Sequence, residues 1–361
     1  MENTEEKIAI LNQIPNPAFI VCDGLITYVN EAAHHLQLST GTAVAPMFTT
    51  GVAEYASFTS GSLYLTMTIC GLDSSVCITD LGQSHLFVIE QDEDLAELQS
   101  MALAAKALRV PLSNVMSVAD HLFPLASLDE NPETQDQIAK INRGLYQMLR
   151  IVCNMSDAYR YSCDKVCRTE VRDITAFLEE QFTASATLIA HSNIQLHYHG
   201  PSEPVFGIID GEKLERAVGN ILSNAMKFTP PGGQIHATLV KRGSTLFLTV
   251  QDSGEGLPEH VKSTFYRRYV RQPGLEDSRF GIGLGMVLVR KAAALHGGTV
   301  LIELGQDFGL RLTMTIPIRH PSDIGVRSPM IHVDYAGDRD HRLLELADCL
   351  PAEVYASDKI N

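Results

Sequence analysis

Apolar residues recur along the chain with two different periods, and the switches between them divide it into four regions. From the start to residue 91, short runs alternate with turn residues. The segment AFIVCDGLITYVNEAAHHLQL reads as a short apolar strand, a turn at Asp23-Gly24, a second strand and then a helix. SLYLTMTIC and HLFVIEQD read as later strands. From 92 to 162 the period becomes helical. Ile138, Ile141, Leu145, Met148, Val152 and Met155 recur at intervals of three and four, the seam of a left-handed bundle. Leu95, Leu98, Ala102, Ala105, Leu108, Leu112 and Val115 form the matching stripe on an earlier helix. Asn131-Pro132 is a helix start, an N-cap followed by a first-turn proline. One such hairpin leaves an apolar face uncovered, so a homodimer forming a four-helix bundle is expected.

Residues 163 to 320 mix both periods. A helix near ITAFLEEQF precedes strands IQLHYH and PVFGIID, a helix from Glu212 to Phe228, and strands IHATLV and LFLTVQD. After a loop come a helix from about Leu284 to His296 and a hairpin of TVLIEL and LRLTMTIPI. This order predicts an α/β sandwich, a mixed sheet with helices on one face. In the extension from 321 to 361, SPMIHVDYAG reads as a short strand and turn. DHRLLELADCL reads as an amphipathic helix carrying Leu343, Leu344, Leu346 and Leu350, docked within the dimer or offered to a partner.

Composition narrows the function. A formal charge of -15 over 361 residues excludes a general nucleic-acid or anionic-membrane surface, which needs concentrated Lys and Arg. No run approaches the roughly 18 apolar residues of a membrane helix, and the polar start MENTEEK does not resemble a secretory signal, so a cytoplasmic location is expected. The seven scattered cysteines fit reduced thiols. Cys163 and Cys167 alone do not complete a zinc site, His34 and His35 point to different helix faces, and His197 and His199 lack a third ligand.

Three motifs carry the candidate chemistry. In NILSNAMKF, Asn220, Asn224 and Lys227 share one helical face, and two amide oxygens beside an ammonium suit a magnesium-bound triphosphate. In DSGEGLP, a strand ends at Asp252, whose carboxylate can accept a hydrogen bond from the adenine amine. Gly254 and Gly256 let the backbone approach the base. In GIGLG, Gly281, Gly283 and Gly285 bring amides to a helix N-terminus, a phosphate cradle. Each motif is weak alone. In this order and spacing they resemble the N, G1 and G2 boxes of the GHKL ATP-binding (Bergerat) fold, and the chain around them resembles sensor histidine kinases.

The resemblance implies a multidomain α+β protein. Residues 1–91 would form a PAS-like sensor domain, 92–162 a dimerisation hairpin, 163–320 the ATP-binding domain and 321–361 an extension. It implies ATP and Mg as cofactors, with Asn220 and Asn224 as the metal residues. Residues 257–280 would be the ATP lid, where FYRRYVR resembles the kinase F box through Phe265 and Tyr269. Arg267, Arg268 and Arg271 are its candidate phosphate contacts, Arg271 among the nucleotide-binding residues. The hydrolysing ATPases of this fold carry a glutamate base four residues before the magnesium asparagine; Asn220 stands there and cannot take a proton, which favours the histidine kinase branch.

ALRVPL resembles the second half of the kinase H box through Leu108, Arg109, Pro111 and Leu112. On that pattern Lys106 occupies the histidine position and Ala107 the acidic one. A neutral imidazole offers a lone pair at cellular pH, whereas a lysine is ordinarily protonated and is no nucleophile. His121 lies fifteen residues on, roughly 22 Å along a helix, too far to substitute. The expectation is an ATP-binding, histidine kinase-like signalling protein of two-component type that does not autophosphorylate at the usual position. Its expected partners are a response regulator or a partner histidine kinase. The open alternatives are kinase or phosphatase action on a partner's histidine or aspartate, and a nucleotide-binding scaffold.

Overall fold

A computed structural model of the chain describes residues 11–90, 93–126, 131–163, 169–254, 284–305, 309–319 and 339–356. The first strands are β1 (Ala18–Cys22) and β2 (Leu25–Val29), joined by Asp23 and Gly24, both at positive φ, as an alternating hairpin with a two-residue turn requires. Helix α1 (Glu31–His35) starts on Asn30, whose side-chain oxygen accepts from the Ala33 amide at 2.9 Å. After α2 (Val52–Ala56) come β3 (Ser62–Ile69), β4 (Leu72–Asp80) and β5 (His85–Ile89). β4 was not anticipated: LDSSVCITD is polar in its first half, and only the positive-φ pair Cys70-Gly71 marks the hairpin that leads into it.

Two long helices follow, α3 (Glu93–Ala126) and α4 (Pro132–Cys163), packed against each other. Asn131 caps α4 by accepting from the Glu133 amide at 3.1 Å, as its sequence predicts. Helix α3 runs unbroken through Pro111. The expected seams divide. Leu145 and Val152 of α4 cluster with Ala105, Leu112, Met116 and Ala119 of α3, and Ile138 is buried as well. Ile141, Met148, Leu108 and Val115 are instead exposed, joined outside by Val118 and Leu122. Residues three apart stand about 60° apart round a helix, so one half of each seam faces the other helix and the other half the open side.

The remaining strands are β6 (Glu170–Asp173), β7 (Gln195–His199), β8 (Phe206–Ile209), β9 (Gln234–Arg242), β10 (Thr245–Asp252), β11 (Val300–Leu304) and β12 (Leu310–Pro317). The helices are α5 (Ile174–Ile189), α6 (Gly211–Phe228), α7 (Leu284–Leu295) and α8 (His341–Glu345). β7 runs parallel to β9, β8 leaves the main sheet to pair with β6, and the helices bury the face of β10 carrying Leu246, Leu248 and Val250. The predicted helix DHRLLELADCL shortens to α8 and a turn, and SPMIHVDYAG lies outside the described residues.

One feature runs against separate domains. β11 pairs antiparallel with β3, so ten strands form a single sheet in the order β2-β1-β5-β4-β3-β11-β12-β10-β9-β7. At this junction Glu90 pairs with Arg290 of α7 at 2.5 Å, and the Arg290 guanidinium lies over the Tyr64 ring, 4.6 Å from its centroid. Gly61 makes the approach possible: at φ +91 a Cβ would meet the Ile302 carbonyl oxygen at 2.2 Å.

Gly61→Ala is therefore expected to lower stability by more than the roughly 1–3 kcal/mol of left-handed strain alone. Gly82→Ala isolates that strain, because Gly82 has a similar φ of +86 with nothing within 4 Å. Thermal unfolding of the two variants side by side checks the difference.

Candidate functional site

Helix α6 is apolar on one face and polar on the other. Leu214, Ala217, Val218, Ile221, Leu222 and Ala225 enter the core at helical spacing. Arg216, Asn220, Ser223 and Lys227, four, three and four apart, form the opposite stripe. The helix begins on Asp210, whose carboxylate accepts from the Lys213 amide at 3.2 Å and from its ammonium at 2.7 Å.

That polar stripe faces α4, the end of α8 and the segment after it. Arg216, with no exposed surface, binds Asp157, reaches Asn154 Oδ1 at 2.6 Å and lies 3.3 Å from Glu345. Asn220 donates to the Arg216 carbonyl at 2.9 Å and to Glu345 at 3.1 Å, while its oxygen accepts from Arg150 at 3.3 Å. Lys227 pairs with Asp348 at 3.1 Å, and Arg150 binds the same carboxylate.

Asp252 follows Leu246, Leu248 and Val250 in the parity of β10, so its carboxylate turns toward the helices and is only 2% exposed. It accepts from the Gly254 amide at 3.0 Å and the Leu310 amide at 3.2 Å. Burial raises its pKa above the ordinary carboxylate value, against the lowering effect of those amides. Gly309 lies so close that a Cβ there would sit 2.0 Å from Asp252 Oδ1. At the start of α7, a Cβ on Gly285 would lie 2.7 Å from Asn220 Oδ1.

The fold thus brings Asn220, Lys227 and Gly285 to one neighbourhood, with Asp252 and Gly254 at the end of β10. Asn224 is half-buried one turn beyond Asn220. The metal role expected for Asn220 does not fit this arrangement. Its oxygen faces a guanidinium, which repels a cation. Gly256, Phe265, Tyr269, Arg267, Arg268, Arg271, Gly281 and Gly283 lie outside the described residues. Lys106 and Ala107 are exposed on α3. His121 is exposed too, its Nδ1 2.7 Å from the Ser117 carbonyl. Sequence reasoning missed Arg150, Glu345, Asp348 and Gly309. Only Gly309, a glycine before a strand, carried a local sign.

Residues 209–320 match the family described as histidine kinase-, DNA gyrase B- and HSP90-like ATPase. Hybrid signal transduction histidine kinase D of Dictyostelium discoideum is 28% identical over 239 residues, 63% of this chain and 15% of that protein. Histidine protein kinase DivJ of Caulobacter vibrioides is 29% identical over 242 residues, 62% of this chain and 40% of that protein. Among solved structures, full-length ShkA in complex with AMPPNP is 19% identical, covering 61% of this chain and 46% of that one, with a TM-score of 0.48. The matched region is a GHKL-type ATPase domain. The chain is similar to sensor histidine kinases of that group, and it spans less than half the length of these two curated relatives. Among the described residues, no helix is long and apolar enough to cross a membrane.

The relative placing of α6 and α7 rests on His296. Its ring accepts from the Asp210 amide at 3.0 Å through Nε2 and donates to the Ala292 carbonyl at 2.7 Å through Nδ1. Burial holds its pKa below the ordinary value, with Lys213 and Arg319 adding to the fall and Asp210 opposing it. The unfolded chain therefore binds this proton more readily than the folded one. The stability tied to the neutral ring is present above the unfolded pKa of about 6.5 and is lost as pH falls below it. Thermal stability is expected to fall as pH drops from about 7.5 to 5.5, and His296→Gln, which cannot titrate, to show a shallower dependence.

Proposed function

We propose that this chain is an ATP-binding, histidine kinase-like component of two-component signalling that does not autophosphorylate on its helical hairpin. The observation that carries the second half is Lys106. It is exposed on α3 one turn before Pro111, where the family resemblance puts the histidine, and Ala107 beside it offers no base. The match of residues 209–320 supports ATP binding, with Asp252 on the adenine, Lys227 and the G2 glycines on phosphate, and Asn224 toward Mg. A magnesium ion held there would supply charge neutralisation of the phosphates. Residues 1–91 are proposed as the PAS-like sensor, 92–162 as the degenerate phosphotransfer hairpin, 163–320 as the ATP domain and 321–361 as an extension. A response regulator or a partner histidine kinase is the proposed recipient of the signal.

The uncovered face of α3, with Leu108, Val115, Val118 and Leu122 in the open, supports a homodimer. The parent should sediment as a dimer at micromolar concentration, and Leu122→Glu, which sets a carboxylate on that face, should give a monomer. A parent that sediments as a monomer rules this out.

Incubation with labelled ATP tests the main reading. Calorimetry should show Mg-dependent ATP binding, weakened by about 1.5–3 kcal/mol in Asp252→Asn, the range of a hydrogen bond to a charged group. The chain should carry no acid-labile phosphate afterwards. Absence of binding defeats the ATP assignment, whereas acid-labile phosphate on this chain would return it to the active kinases.

A further inference from the structure

Helix α8 and the residues after it pack against α6 and α4. Glu345, Asp348 and Cys349, three and one apart, lie along the polar stripe of α6. Glu345 meets Arg216 and Asn220, Asp348 meets Lys227, and Cys349 Sγ lies 3.7 Å from Ser223 Oγ. The segment is anchored elsewhere as well. Leu343, Leu344, Leu346, Leu350, Val354 and Tyr355 are buried in the main core. Arg143 of α4 donates to the carbonyls of Ala347 at 3.2 Å and Asp348 at 3.1 Å. Gly219 lets it settle, since a Cβ there would meet Glu345 Cβ at 2.6 Å.

Of the residues expected to face a triphosphate, the ammonium is taken by a carboxylate and one amide by another. A carboxylate held between an ammonium and a guanidinium is the arrangement a nucleotide phosphate would adopt. Asp348 is the exposed end of this contact, its side chain 33% exposed against 1% for Glu345. An incoming anion can therefore reach it without opening the core.

We propose that residues 340–355 are an intramolecular occupant of the phosphate end of the nucleotide site. Asp348 takes the place of a phosphate between Lys227 and Arg150, so that ATP and the docked tail compete and Arg150 of the hairpin becomes a phosphate ligand once the tail yields. This rests on the ATP reading above. Its consequence is a link between nucleotide and hairpin, because the displaced segment is also what ties α4 to α6.

The test uses the full chain and two variants. Asp348→Asn removes the competing charge. Gly219→Ala removes no polar group and only crowds the docked tail, while Ala favours the helix itself. MgATP and adenosine affinities are measured by calorimetry, and alkylation of Cys349 is followed by mass spectrometry with and without ATP. Both variants should bind MgATP about tenfold more tightly if the docked tail is populated about nine-tenths of the time. Adenosine affinity should stay constant, and ATP should speed Cys349 alkylation in the parent. Equal MgATP affinity in all three proteins, with Cys349 indifferent to ATP, overturns the competition while leaving ATP binding intact. No MgATP binding in any of them overturns the ATP reading, and the competition with it.

Discussion

A guanidinium with no water around it governs the architecture. Arg216 sits in the middle of α6, fully buried, and a buried charge is tolerable only when its partners are held in place. Those partners come from two other parts of the chain: Asp157 and Asn154 from α4, and Glu345 from the tail. Arg150 repeats the pattern a few residues away with Glu345 and Asp348. Taking one partner from such a group leaves an uncompensated charge, at a cost of about 3–5 kcal/mol. Hairpin, ATPase core and tail are thereby made interdependent by electrostatics rather than by apolar area alone.

A second connection reaches the ATPase core from the other side. The β3–β11 pairing makes the N-terminal strands and the nucleotide-domain strands one hydrogen-bonded surface. Glu90, at the end of β5 and just before α3, holds Arg290 on the helix whose first turn carries Gly285. A shift of the N-terminal sheet would therefore be felt both at the root of the hairpin and along α7. The two couplings meet at Asn220, which Gly285 approaches from α7 and Arg150 from α4.

Periodicity made much of this readable before any coordinates. The parity of Leu246, Leu248 and Val250 already places Asp252 on the helix side, and the 3.6-residue rhythm of α6 separates its core face from the stripe with Asn220 and Lys227. What stayed hidden were the partners of that stripe. Periodicity says that a face is polar but not which distant carboxylate or guanidinium meets it, and Glu345 is 125 residues from Asn220. The leucines of the tail announced docking, yet their apolarity carried no address. β4 was lost for a different reason: its early residues are solvent-facing on a hairpin, so the local composition reads as loop.

The tail also bears on Lys106. An autophosphorylating kinase has to bring its nucleotide domain to a nucleophile on the hairpin, which requires the two to move against each other. Here α6 and α4 are fixed together through Arg216–Asp157, Arg160–Glu212 at 3.0 Å and the tail carboxylates. If, as proposed, the chain has no acceptor on α3, it has no such journey to make, and a clamp that would hinder a phosphotransferase does no harm to a protein signalling by conformation. On the proposed reading, the missing imidazole and the docked tail are one adaptation: once phosphate need not travel from the nucleotide to the helix, the contact between the two domains is free to carry the signal instead.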